Sequence, residues 1–104
     1  MIKVSVLYPY KEGVSFDMNY YLQSHIPMVR ARLGAACKGA AVEQGLGGAA
    51  QGTHPAYIAM GHLLCDSVEA FQAAFAPHAT EIMGDIRNYT AIEPIIQISE
   101  VKMS

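Results

Sequence analysis

The chain has 104 residues, enough for one domain with a single hydrophobic core. Apolar residues make up 52% and charged residues 15%, which excludes a disordered chain; a formal net charge of −2 with no basic run speaks against a nucleic-acid partner. No run of about 18 apolar residues occurs, so no membrane span is expected. Residues 2–8 alternate Ile2, Val4, Val6 and Tyr8 with Lys3, Ser5 and Leu7, the pattern of a strand partly buried on both faces. This N-terminus lacks the pattern of a signal peptide. Cys37 and Cys65, the only cysteines, are therefore expected as reduced thiols in a cytoplasmic protein. Pro9 to Gly13 reads as a loop.

Residues 17–34 read as the first helix. Asp17 suits the N-cap and Phe16 before it an apolar staple. Met18, Leu22, Val29 and Leu33 return at helical spacing, with His25 in the middle of that stripe and Tyr21 on its flank. Tyr20 points the other way. Pro27 cannot donate to Gln23 and its ring crowds that carbonyl, so a break is expected near Ser24–Pro27. The imidazole of His25 would then lie at an irregular, accessible point. Gly34 is a plausible stop.

Residues 36–46 contain two glycines among alanines, which favours a second strand over a helix. Gly47 to Pro55 is a flexible connector, and Ala56 to Cys65 a third strand. Asp66 or Ser67 caps a second helix with the stripe Val68, Phe71, Ala74 and Phe75, which Pro77 ends. His78 to Ile86 is a further short helical piece, and Asn88-Tyr89-Thr90 turns the chain. Ile92 to Met103 reads as the last strand, with Pro94 near its start. One domain, residues 1–104, therefore has the order βαββαβ: an α+β, ferredoxin-like fold with a four-stranded antiparallel sheet. Helices on one face leave the other bare, and a second copy packed sheet to sheet would cover it, as a homodimer.

Phe16-Asp17 followed by Tyr20-Tyr21 and His25-x-Pro27-Met28-Val29 resembles the EthD family, named after a protein of ethyl tert-butyl ether degradation. Phe71-Gln72-Ala73-Ala74-Phe75 and Tyr89-Thr90-x-Ile92-Glu93-Pro94-x-Ile96-Gln97-Ile98-Ser99-Glu100 carry the same resemblance, which covers essentially the whole chain. It implies the dimeric α/β-barrel superfamily. Relatives of that fold include isomerases, cyclases, cofactor-free oxygenases, peroxidases and haem-degrading enzymes, so the fold does not choose a reaction. EthD-type proteins are often labelled oxidoreductases, yet Gly45-x-Gly47-Gly48 lies outside any strand–turn–helix context for a dinucleotide.

With that resemblance, His25 becomes a candidate general acid/base for a small carbonyl-bearing or aromatic molecule, with Tyr21 orienting it or holding a substrate oxygen. The plainer role for His25 is a hydrogen bond to a carbonyl freed by Pro27. Tyr8, Tyr20, His62, Cys65 and His78 are the candidate substrate contacts, each with a structural alternative: Tyr20 at the surface or an interface, His62 at a dimer seam, Cys65 as a packed thiol, His78 as a cap. Asp66, Asp85 and Glu93 read as cap or surface charges. His54 reads as solvated. No cluster has zinc spacing, and neither metal nor other cofactor is expected. A haem would need one of the histidines as axial ligand, and nothing else points to it. An isomerase, cyclase or oxygenase type of enzyme and a non-catalytic binding or accessory protein both fit this pattern.

Overall fold

The computed structural model describes residues 1–104. Four strands, β1 (Ile2–Pro9), β2 (Gly39–Gln44), β3 (Tyr57–Cys65) and β4 (Ile95–Glu100), form one sheet in the order β2-β3-β1-β4. Each neighbouring pair is antiparallel. The helical segments α1 (Met18–Tyr20), α2 (Ile26–Leu33), α3 (Val68–Phe75) and α4 (Ala79–Gly84) complete the βαββαβ order. The alternation read in β1 sets its orientation: Ile2, Val4 and Tyr8 are buried, as are Ala59, Gly61, Leu63 and Cys65 of β3. These residues face the helices, and the residues between them face the other way. The molecule measures 41 × 33 × 19 Å, a slab of one sheet and one helical layer with the second sheet face bare.

The first helix starts as its sequence dictates. The Asp17 carboxylate accepts from the Tyr20 N–H at 3.0 Å. Phe16 packs edge-on against Tyr21, ring centroids 5.1 Å apart, which is the staple geometry of the residues before and after the cap. The helix does not break before Pro27, however. Tyr21–His25 form a π turn between α1 and α2, in which the Ile26 N–H donates to the Tyr21 carbonyl. Pro27 then lies in the first turn of α2, where its missing N–H costs nothing. The wider turn also reassigns the buried face. Tyr21, His25, Val29 and Leu33 are buried, whereas Leu22 is 47% exposed. Steps of four residues drift by about 40° each in an α-helix. A π turn absorbs part of that drift and keeps Tyr21 and His25 over the sheet.

The second helix begins on Ser67, whose hydroxyl accepts from the Ala70 N–H at 3.1 Å. As expected, α3 stops at Phe75, just ahead of Pro77. The proline opens a 3₁₀ turn, Ala76–His78, that leads directly into α4. The last strand is shorter than its apolar sequence suggested and starts at Ile95. Ile92 is buried, but its N–H is bonded to the Thr90 hydroxyl rather than to a strand.

Two buried clusters lie between sheet and helices. Val29, Leu33, Phe71 and Ile82 pack on Ile2, Val4, Leu63 and Cys65. Tyr8, Tyr21, Ala59, Tyr89 and Ile92 form the other. The site described next lies where the aromatic cluster meets a cavity.

Candidate active site

His25 projects from the end of the π turn and is 5% exposed. Its Nδ1 lies 2.8 Å from Oδ2 of Asp85, the residue just after α4. The other carboxylate oxygen, Oδ1, accepts from the Tyr20 hydroxyl at 2.7 Å and from the Asn88 side-chain amide at 2.8 Å. Burial acts to raise the Asp85 pKa, but these three hydrogen bonds outweigh it and hold the carboxyl below its ordinary value. Asp85 is thus an ionised, acceptor-only group, and the proton of the pair belongs to His25 Nδ1. Burial lowers the His25 pKa, partly offset by the neighbouring Asp85. At neutral pH the imidazole is therefore neutral, protonated on Nδ1, with the lone pair on Nε2.

That lone pair has somewhere to point. A cavity of about 120 Å³ lies between the sheet and the helices, lined by His25 and Tyr21 and otherwise almost wholly by apolar side chains such as Val6, Val29 and Phe75. No buried side-chain nitrogen or oxygen is both sealed from space and without a partner. His25 Nε2 has no protein partner, so it borders open space, and the cavity is the space His25 lines. Met83, 40% exposed, and Ile96, 46% exposed, are lining residues that carry the cavity toward the surface.

Tyr8 and Tyr21 line the other side, with Tyr89 packed behind them. The Tyr21 and His25 rings lie nearly parallel, centroids 5.5 Å apart. Tyr8 and Tyr89 share a hydroxyl–hydroxyl hydrogen bond of 2.6 Å. Tyr21 packs edge-on against Tyr8 and tilted against Tyr89. Burial, above all, raises the pKa of all three well beyond the ordinary phenol range, so they act as neutral donors rather than bases. The Tyr21 phenol reaches the sheet at Gly61, where an added Cβ would overlap its hydroxyl.

The structure brings His25, Tyr21 and Tyr8 together on the lining of one cavity. Tyr20 does not point away: its hydroxyl fixes Asp85. His62 borders the cavity between Gly61 and Leu63, but its imidazole turns to the bare face of the sheet, where Nδ1 meets the Ser5 hydroxyl at 2.8 Å and Nε2 meets Glu43 at 2.9 Å. Cys65 is fully buried in the cluster of Phe71 and Ile82, away from the cavity lining. His78 sits half-buried in the turn before α4 and does not line the cavity either. Asp85, read as a cap or surface charge, is instead half-buried and bonded to His25, Tyr20 and Asn88. His25 is bonded to this carboxylate rather than to a freed carbonyl. Tyr89, read only as part of a turn, is a buried member of the aromatic cluster. Gly61 carried one legible signal: a glycine inside an apolar strand marks a close approach. Asp85 carried none. No three His, Cys, Asp or Glu side chains converge as a metal site would require.

The chain's relatives agree with this fold. The EthD domain model matches residues 13–93. An EthD-like protein from Ralstonia eutropha of known crystal structure is 56% identical, with 98% of this chain and 92% of that one covered and a TM-score of 0.95. An ethyl tert-butyl ether (EthD) family protein from Bacillus halodurans has 18% identity, 97% and 98% coverage and a TM-score of 0.67. An Arabidopsis thaliana protein has 16% identity, 100% and 98% coverage and a TM-score of 0.71. The two distant likenesses speak for the fold alone. No curated protein matches the chain. With the matched domain spanning the helix of His25, the strand of Gly61 and the turn of Asp85 and Tyr89, the chain belongs to the EthD family.

Proposed function

We propose that this EthD-family protein is a cofactor-independent acid/base enzyme acting on a small carbonyl-bearing or aromatic molecule. The observation that carries this reading is the His25–Asp85 pair: a buried, neutral imidazole held by a carboxylate on one nitrogen and open to an apolar cavity on the other. Such an imidazole takes a proton from carbon or oxygen next to a carbonyl and returns it. Asp85 stabilises the imidazolium formed meanwhile. An isomerase, a cyclase and a cofactor-free oxygenase each need that step. The unpaired cysteines fit a reducing cytoplasm.

His25→Gln tests the reading. With fold retained by circular dichroism, turnover of a substrate found by screening small cyclic carbonyl compounds is expected to fall about 10²–10⁴-fold. Full activity in that variant would overturn it. The apolar lining also suits a protein that only binds. Ligand affinity with no step near the His25 titration, and no turnover, would select that alternative.

We further propose a homodimer through the bare sheet face. Leu7, Ile58, Met60 and Leu64 lie there half-buried around the Ser5–His62–Glu43 line, and Ile95 is 52% exposed at its edge. An apolar sheet face of that kind is costly to leave in water.

A further inference from the structure

Two polar atoms of nearly buried side chains border the same apolar cavity and keep hydrogen-bonding capacity for a ligand. One is His25 Nε2. The other is the Tyr21 hydroxyl: Tyr21 is 1% exposed, and Tyr8 beside it is the one side chain its hydroxyl can lean on. Tyr8 is itself committed to Tyr89 at 2.6 Å. A buried hydroxyl at the wall of an apolar cavity, with only a weak neighbour, gains a strong partner when a ligand accepts from it. The surroundings hold this hydroxyl in place. Gly61 leaves the space it fills, and Phe16, Tyr8, Tyr89 and His25 surround its ring with centroids 5.0 to 5.8 Å away.

The volume narrows the ligand. A cavity of about 120 Å³ is close to the 150 Å³ of an engineered apolar cavity that takes benzene. Its interior holds about one ring, and anything larger would extend past Met83 and Ile96 toward the surface.

We propose that this cavity recognises an enolisable cyclic carbonyl compound of single-ring size, with Tyr21 donating to its oxygen while the adjacent C–H faces His25 Nε2. This rests on the acid/base reading of His25 and adds to it the ligand class and the residue that reads it. In the step implied, Nε2 takes the proton from the carbon beside the carbonyl. The C–H electron pair forms the carbon–carbon double bond, and the carbonyl π pair moves to oxygen. The enolate oxygen then accepts a stronger hydrogen bond from Tyr21 than the ketone did. Return of the proton from Nε2 to the same or a conjugated carbon closes the step with no redox change. Tyr8 lines the same cavity, and its hydroxyl is paired with that of Tyr89, which packs behind it.

Phenol, which has the shape of such an enol, and benzene, which lacks the oxygen, test the proposal on the intact protein. Titration by calorimetry or NMR is expected to give phenol affinity at least about tenfold above that of benzene, although phenol is the better hydrated of the two. Tyr21→Phe is expected to bring the two within about twofold by weakening phenol alone. Gly61→Ala, which displaces the hydroxyl by a different route, is expected to do the same, so a folding failure of either variant leaves the other to decide. Equal binding of phenol and benzene by the wild type, or a preference that survives Tyr21→Phe, would overturn the proposal. Neither result touches the protonation of His25, which NMR titration of the same samples reads separately. A His25 that is charged at neutral pH would overturn the acid/base reading even where the phenol preference holds.

Discussion

Asp85 decides the chemistry of His25 without touching the cavity. Its carboxylate fixes the Nδ1–H tautomer and thereby leaves the Nε2 lone pair free for the proton transfer proposed above. It also opposes the effect of burial on the imidazole. Asp85→Asn is therefore expected to lower the His25 pKa further below 6.5 and to let the tautomer revert, visible in the NMR titration of the ring. An unchanged titration would show that the pair is not coupled. Turnover should drop as well, because the imidazolium loses its counter-charge. At the same scale, Tyr8→Phe removes one side of the 2.6 Å hydroxyl pair and strands the Tyr89 hydroxyl in the core. A loss of about 1–3 kcal/mol in urea denaturation is expected, the cost of one unsatisfied buried donor. Stability equal to the wild type would mean that Tyr89 finds another partner.

At the scale of elements, the π turn makes the site. It places two residues four apart, Tyr21 and His25, in stacked contact over the sheet and keeps Val29 and Leu33 buried beyond them. Single π turns often occur at functional positions, where an extra residue re-aims side chains. Deleting Ser24, which is exposed within the turn, is expected to restore an ordinary α-helix. His25 would then rotate away from Asp85 with little loss of helix content. Loss of the His25–Asp85 coupling by NMR, with circular dichroism retained, is the signature to look for; intact coupling would show that the turn is incidental. Asp17→Ala, in contrast, removes only a cap and should cost about 1 kcal/mol without moving the site. The sequence marked this region well. Pro27 showed that the helix could not be regular, and Asp17 and Phe16 showed where it starts. Whether the irregularity becomes a break or a bulge depends on what Tyr21 and His25 bury against, which no local pattern contains. The same limit hid Asp85, 60 residues from its partner, and the facing of His62, where alternation fixes which residues share a face but not which face is covered.

The whole molecule couples these residues to stability. Two groups of the site have pKa values below their ordinary ones, His25 from 6.5 and Asp85 from 3.8. In both cases the unfolded chain takes up the proton first as pH falls. The stability they contribute is complete above about pH 6.5 and is lost in two stages on acidification, first below 6.5 and then below 3.8. Urea midpoints measured across that range should show both stages. His25→Gln should abolish the upper one, and a midpoint that stays flat down to pH 3.8 would contradict the buried neutral imidazole. At this scale too, the bare sheet face asks for a partner. Sedimentation equilibrium is expected to give a dimer that Leu64→Glu, on that face, converts to monomers while leaving His25 titration unchanged. A monomeric wild type would refute the pairing. The βαββαβ order was legible throughout, because alternating strands, capping residues and connector glycines each leave a local trace. No helix is long and apolar enough to cross a membrane, in line with the composition.

Nitrogen-resolved NMR of the His25 ring as a function of pH tests the central claim most directly. A neutral imidazole at neutral pH, protonated on Nδ1 and titrating below 6.5, is the result expected of a base held by Asp85 and open to the cavity. A ring protonated on Nε2, or one still charged at neutral pH, would contradict it.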